Sequence, residues 1–286
     1  MPFQIHTAPA RSLLTKTSGF NAEAGFTHSL TPARNCTFGC SYCYVPTMGI
    51  FGGLKPGDAE RWGTETTFKT FDSEVLARAL RPDQVVYCSP LVDPFQPAES
   101  ERRAMEPILE IVAAHPPRIF VLQTRSKLVL EYLPFLQKVA RSTLLRVSFS
   151  VTTDNDAVRK AFEPHCDSVE VRFETVRALV RSGINTFLAL APLLPCTPER
   201  LIDLALASTP NPLICDALHN RKQKPRGATT RSAAERVSSR LGYAEWHEPG
   251  FQNAVLERMK ERAGQAGRRF ATGPAGFSFL TEMPNS

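Results

Sequence analysis

Along this chain, apolar runs rich in β-branched residues alternate with segments whose apolar positions recur at helical spacing. VVYC (85–88) reads as a strand, after which Ser100 can cap a helix that puts Met105, Ile108, Leu109 and Val112 on one face. RIFVLQ (118–123) is the next strand, followed by a helix grouping Leu133, Leu136 and Val139. LLRVSFSVT (144–152) is another strand. Asp167 or Ser168 then opens a helix in which Val169, Phe173, Val176 and Val180 share a face and Gly183 supplies the stop. INTFLALAPLLP (184–195) is strand again, and Thr197, Pro198 and Glu199 start a further helix as N-cap, first-turn proline and first-turn acid. PLIC (212–215) is a last short strand, and FTHSLTPA (26–33) contains a first one, giving about six strand-helix units.

Regular alternation of this kind implies a parallel sheet with helical crossovers. No G-x-G-x-x-G or P-loop glycine pattern follows the first strand, so an α/β partial (β/α)6 TIM-like barrel with a C-terminal helical extension is expected rather than a doubly wound sheet. In barrels the chemistry gathers at the carboxyl ends of the strands. On the fourth strand Ser148, Ser150 and Thr152 alternate with Val147, Phe149 and Val151; period two sends the hydroxyls to the barrel interior and the apolar side chains to the helices.

Composition narrows the class. The chain has 286 residues, 42% hydrophobic and 22% charged, which fits one folded domain with at most a small appendage. Its start lacks an apolar core of signal-peptide length, and no apolar run approaches the ~20 residues of a membrane span. A cytoplasmic protein without a membrane partner is the expectation. Seven cysteines then read as reduced thiols rather than a disulfide framework. The +6 net charge comes entirely from Asp216 to Phe270, where 12 Lys or Arg face 6 Asp or Glu. That segment, with RKQKPR at 221–226, suits a polyanion such as nucleic acid, and equally a solvated basic surface.

The densest chemistry is NCTFGCSYCYVP (35–46), with Cys36, Cys40 and Cys43 just past the first strand. A closed structural zinc site needs a fourth ligand, and no second Cys-x-x-Cys pair follows; zinc with a distant ligand stays open. A redox disulfide needs two cysteines and leaves one over. A four-iron cluster takes one ligand per iron, so three cysteines leave one iron vacant for a small molecule.

Cys36-x3-Cys40-x2-Cys43 with Tyr42 resembles the signature of the radical S-adenosylmethionine (SAM) superfamily. A narrower resemblance, to the spore photoproduct lyase-like (DNA repair photolyase-like) branch, spans roughly residues 25 to 200 through CSYCYVPT, VDPFQPAE (92–99), TRSKLVL (124–130), SFSVTT (148–153), FEP (162–164) and the Arg172 helix leading to SGINTFLALAPLLP. It implies a [4Fe-4S] cluster on Cys36, Cys40 and Cys43, with S-adenosyl-L-methionine on the open iron. It also implies reductive cleavage to a 5′-deoxyadenosyl radical and an electron donor such as flavodoxin or ferredoxin. Phe38, Tyr42 and Tyr44 are suited to covering the cluster. Ser150 and Thr152 would contact the cofactor's ribose and methionine, while Asp93 aims a carboxylate into the cavity or caps its own turn. Arg172 would pair with the cofactor carboxylate; Glu163 carries a weaker signal. Cys88 is matched to a hydrogen-donating thiol of the lyase but stands two residues further from Asp93, and Cys196 is a second candidate.

The expected organisation is an N-terminal extension (1–24), a barrel (25–215) and a basic C-terminal extension (216–286). In the last, 251–265 forms a helix with Val255, Met259 and Arg262 near one face, placed to close the barrel's open side. The expected function is a radical SAM enzyme acting on an unidentified substrate, nucleic acid among them. The alternatives are action on a peptide or small metabolite, or a non-catalytic nucleic-acid-binding protein with a structural metal site.

Overall fold

A computed structural model describes residues 3–219 and 229–283; RKQKPR at 221–226 lies outside them. Eleven strands are present among these residues: β1 (Gln4–Pro9), β2 (Leu14–Lys16), β3 (His28–Leu30), β4 (Ala33–Arg34), β5 (Glu65–Thr70), β6 (Val85–Cys88), β7 (Ile119–Thr124), β8 (Leu144–Ser150), β9 (Thr186–Leu190), β10 (Leu213–Cys215) and β11 (Phe270–Thr272). The main sheet runs β2-β3-β6-β7-β8-β9-β10-β11 and does not close on itself. Every neighbouring pair is parallel except β2 with β3. The six strands expected from the sequence are β3 and β6 to β10, in sequential order, as right-handed crossovers through helices require.

The two faces of this sheet differ as strand period dictates. Val86, Leu122, Val147, Phe149 and Leu188 face the outer helices and form the largest apolar cluster with Ile108, Leu109, Leu136, Phe173 and Leu201. The helix Val169–Arg181 starts at Ser168, whose hydroxyl accepts from the Val171 N–H, and Gly183 follows it at φ 78. Its buried edge runs through Val176 and Leu179 rather than Val180. Ser100 does not cap the helix Met105–Ala114; it lies in a separate short turn and donates to the Pro97 carbonyl, and the buried Glu99 carboxylate receives the Met105 N–H instead.

The inner face is graded. At its amino end Val85, Tyr87, Ile119, Val121 and Phe187 pack with Phe26, Phe277, Phe279 and Leu280. Toward the carboxyl end it becomes polar, with Gln123, Ser148 and Ser150 pointing inward. The last turns of the C-terminal extension are therefore a plug at the amino end, while its Leu218 and Ala234 pack with the cysteine loop at the carboxyl end. Its β11 extends the sheet edge beside β10, and its helix Pro249–Gln265 packs outside, on the helix Pro198–Ser208. The expected stripe on that helix is only partly right. Val255 and Met259 are buried, but Arg262 is exposed and pairs with Asp203 at 2.8 Å, because position 263, an alanine, is the one that fits against the neighbour.

A small sheet, β1-β5-β4, has no counterpart in the sequence reading. It carries the cysteine segment: Thr66 of β5 donates to the carbonyls of Arg34 and Asn35, fixing the chain just before Cys36. No helix among the described residues is long and apolar enough to cross a membrane.

Candidate active site

Cys36, Cys40 and Cys43 lie on a loop whose path is set by two left-handed residues, Asn35 (φ 67) and Gly39 (φ 64). Glycine is favoured at 39 by its left-handed angle and by tight space, since a Cβ there would stand 3.1 Å from the Gly63 Cα. Gln96 of the DPFQP element clamps the loop from the other side. Its Oε1 accepts from the Thr37 N–H at 2.7 Å and hydroxyl at 3.1 Å, and its amide donates to Thr66 at 3.1 Å. Phe38 and Tyr42 are buried around the thiols as expected, whereas Tyr44 is 37% exposed at the rim.

Behind the loop is a buried charged network. Glu163 is fully buried; its Oε1 accepts from the Tyr42 hydroxyl, from Thr152 at 3.0 Å and from Arg125 Nη1 at 2.8 Å, and its Oε2 from Arg172 Nη1 at 2.5 Å. Burial pushes this carboxyl up, but Arg172, Arg125 and the Tyr42 hydroxyl outweigh it and hold Glu163 below the usual carboxylate range. Arg125 Nη1 also reaches the Tyr42 oxygen and Cys40 Sγ, the latter at 3.6 Å. Burial opposes the charge of Arg125; Tyr42, Cys40 and Glu163 around it keep the guanidinium protonated.

The thiols differ. Burial pushes Cys36 up and Cys43 up to about 12, so metal coordination is what would strip their protons. Cys40 is held low by a hydrogen bond from the Cys166 thiol, aided by Arg125 against the cost of burial. Cys40, Cys166 and Glu163 offer ligand atoms within 4.8 Å of one another. They are a poor independent cation site, because two guanidinium groups already occupy the Glu163 oxygens.

The other expected site residues have the following surroundings. Cys88 falls on the helix-facing side of β6, sealed among apolar residues such as Leu30, Val86 and Leu122, because period two sends Tyr87 rather than Cys88 inward. Cys196 likewise packs against that outer cluster. Asp93 is a brace: its Oδ1 accepts from the Phe95 N–H at 2.9 Å and Thr124 at 2.8 Å, its Oδ2 from the Arg125 N–H at 2.9 Å, and burial raises its pKa above the ordinary value. Arg172 has no exposed side-chain surface and is engaged by Glu163 and by the Ser150 carbonyl, to which Nε donates at 3.1 Å. Ser150 and Thr152 do point inward, Ser150 accepting from Gln123 at 2.6 Å. The unforeseen members are Arg125, Gln96, Gln123 and Cys166. For Arg125 the usable signal was a cation immediately after a strand, inside an element already singled out.

Residues 30–206 match the radical SAM superfamily. The chain belongs to that superfamily. Such a domain uses S-adenosylmethionine with an iron–sulfur cluster. An uncharacterized protein of Methanocaldococcus jannaschii is 23% identical over 163 residues, covering 56% of this chain and 58% of that relative's length. Among solved structures, spore photoproduct lyase complexed with dinucleoside spore photoproduct superposes with TM-score 0.64 at 14% identity, covering 94% of this chain and 82% of the other. A mutant of that lyase with bound AdoMet and the same dinucleoside gives TM-score 0.62 at 14% identity, covering 94% and 81%. At this identity the likeness establishes the shared partial-barrel fold of the radical SAM chain.

Proposed function

We propose that this radical SAM protein is an enzyme that holds a [4Fe-4S] cluster on Cys36, Cys40 and Cys43 and cleaves S-adenosylmethionine reductively to begin radical chemistry on a nucleic-acid substrate. The observation that carries the reading is the three-thiol loop at the carboxyl ends of parallel strands, Cys36 and Cys40 buried and Cys43 half-buried, with a cation beside one thiol. The residues present fit the group: three thiols suit three irons, and the buried hydroxyls of Ser89 and Ser148 have no hydrogen-bond partner among the described residues. When bound, cluster and cofactor supply a 5′-deoxyadenosyl radical able to abstract hydrogen. The test is anaerobic reconstitution with iron and sulfide, reduction, and assay for 5′-deoxyadenosine; an iron-loaded, reduced protein that forms none refutes the reading. A flavodoxin- or ferredoxin-type donor would supply the electron in place of the chemical reductant.

Each protein group has a distinct task. Arg125 keeps 18% of its side-chain surface exposed where Arg172 has 0%, so Arg125 is the cation available to a cofactor carboxylate. Ser150 retains its hydroxyl proton for donation to the cofactor, and Thr152 retains a lone pair. Replacing Arg125 with Gln is expected to raise the KM for S-adenosylmethionine roughly ten- to a hundredfold, the range for losing a charge-assisted hydrogen bond, with smaller change in kcat. Arg125→Lys should recover part of it. Equal KM values in Gln and wild type would remove Arg125 from the cofactor site.

The nucleic-acid part rests on position as well as charge. Thr230 N–H donates to the His219 carbonyl at 2.8 Å, and the Thr229 carbonyl accepts from Thr47 at 3.2 Å, so both flanks of the basic segment meet beside the helix Val45–Met48 that follows Cys43. The lyase neighbour was solved with a dinucleoside photoproduct, which favours the same substrate class here. Fluorescence anisotropy with a labelled oligonucleotide should show binding that weakens steeply with salt, and a shallower slope when the lysines and arginines of 221–226 are replaced by serine. Absence of binding, or no salt dependence, would leave a peptide or small metabolite as substrate.

A further inference from the structure

Cys166 is unused by the chemistry above, yet it is the thiol nearest a proposed cluster ligand. It lies in the turn between the helices Asp156–Phe162 and Val169–Arg181, where its N–H donates to the Glu163 carbonyl at 3.1 Å and its carbonyl accepts from Arg159 at 3.0 Å. The cysteine loop is docked onto this same turn by its backbone: the Ser41 N–H donates to the Phe162 carbonyl at 2.8 Å. On the same loop Gly39 packs closely against Gly63. The fold therefore holds both backbones in place, and the Cys40 and Cys166 sulfurs fall within 4.8 Å of each other. Cys166 is also buried, in the same apolar cluster as Cys36 and Cys40, so the pair is not a chance encounter of mobile surface chains.

We propose that Cys40 and Cys166 form a redox modification site, closing to a disulfide when peroxide reaches the cluster-free protein. One thiol reacts with hydrogen peroxide to give a sulfenic acid and one water. The other thiol attacks that sulfur, the S–S bond forms, and a second water leaves; two electrons pass from the sulfurs to the O–O bond, and both thiol protons end in water. The bond takes Cys40 away from iron, so the oxidised protein cannot assemble a complete site until it is reduced. That consequence rests on the cluster assignment proposed above; the cross-link itself does not.

The experiment starts from full-length protein stripped of iron under argon and treated with stoichiometric hydrogen peroxide. Free thiols are alkylated, the protein is digested without reduction, and the fragments are sequenced by mass spectrometry. The expected product joins Cys40 to Cys166, with Cys36 and Cys43 alkylated. Pairing within the Cys36, Cys40, Cys43 trio, or overoxidation of Cys40 with Cys166 left alkylated, overturns the proposal. In parallel, peroxide should lower subsequent iron uptake severalfold in wild type, dithiothreitol should restore it, and Cys166→Ser or Cys166→Ala should escape the loss. Equal loss in wild type and both variants would overturn the proposed block. If untreated wild type takes up no iron, the cluster reading fails while the mapped cross-link still decides the thiol pair.

Discussion

Replacing Cys36, Cys40 or Cys43 singly with alanine should abolish 5′-deoxyadenosine formation in anaerobically reconstituted protein. Losing a group that merely supports a metal ligand costs about 10–100-fold, and losing the ligand itself must exceed that. Cys36 and Cys40 are buried and Cys43 is half-buried on one constrained loop, and the neighbouring carboxylates among the described residues are engaged, Glu163 by two guanidinium groups and two hydroxyls and Asp93 by two backbone N–H groups and Thr124. The variants should also lose the visible absorbance and the iron and sulfide content of wild type. Cys88→Ala is the control. Its sulfur faces the helix layer, so iron content and cofactor cleavage should stay at wild-type levels. Loss of cofactor cleavage in Cys88→Ala with iron retained would return that thiol to the reaction, and zinc in place of iron in wild type would end the radical assignment altogether.

The fold was legible because its signals are periodic. Alternation along Val147, Ser148, Phe149 and Ser150 correctly separated the helix-facing side of β8 from its interior, and helical spacing placed Ile108, Leu109, Phe173 and Val176 in the core. The cysteine motif was legible because spacing alone carries it. What the sequence concealed depends on contacts between distant segments. Arg125 and Arg172 look alike in sequence; only the packing of Arg172 against the Ser150 carbonyl tells which is sealed and which is available. Cys88 faces the helices because a single step along the strand turns a side chain from interior to exterior. Glu163, read as a minor helix-end residue, became the hub because a fully buried carboxylate must find partners, and those come from residues 42, 125, 152 and 172. The β1-β5-β4 sheet was missed since ETTFKT is too polar to stand out as a strand, although it is what pins the cysteine loop.

Glu163→Gln should be the most destabilising substitution of the site, by about 3–5 kcal/mol, because it leaves two buried guanidinium groups facing a neutral amide. Lowered folding stability is read from the urea midpoint of the iron-free protein, which keeps the measurement apart from cluster loss. The double variant Glu163→Gln with Arg172→Met should be less destabilised than the two single changes added together, since it removes the fully buried charge pair and leaves only the partly exposed Arg125 without its counter-charge. Additivity would show that the ion pair contributes nothing. The sign of the pH effect follows from the lowered pKa of Glu163. Its contribution is complete above the unfolded-state value, about 4.3, and is lost as pH falls through the lower folded-state value. The gap between wild type and Glu163→Gln should therefore be constant near neutrality and shrink in acid. A gap that instead widens in acid would mean that burial, and not Arg125 and Arg172, governs this carboxylate, and the network would no longer account for how Tyr42 and Cys40 are held.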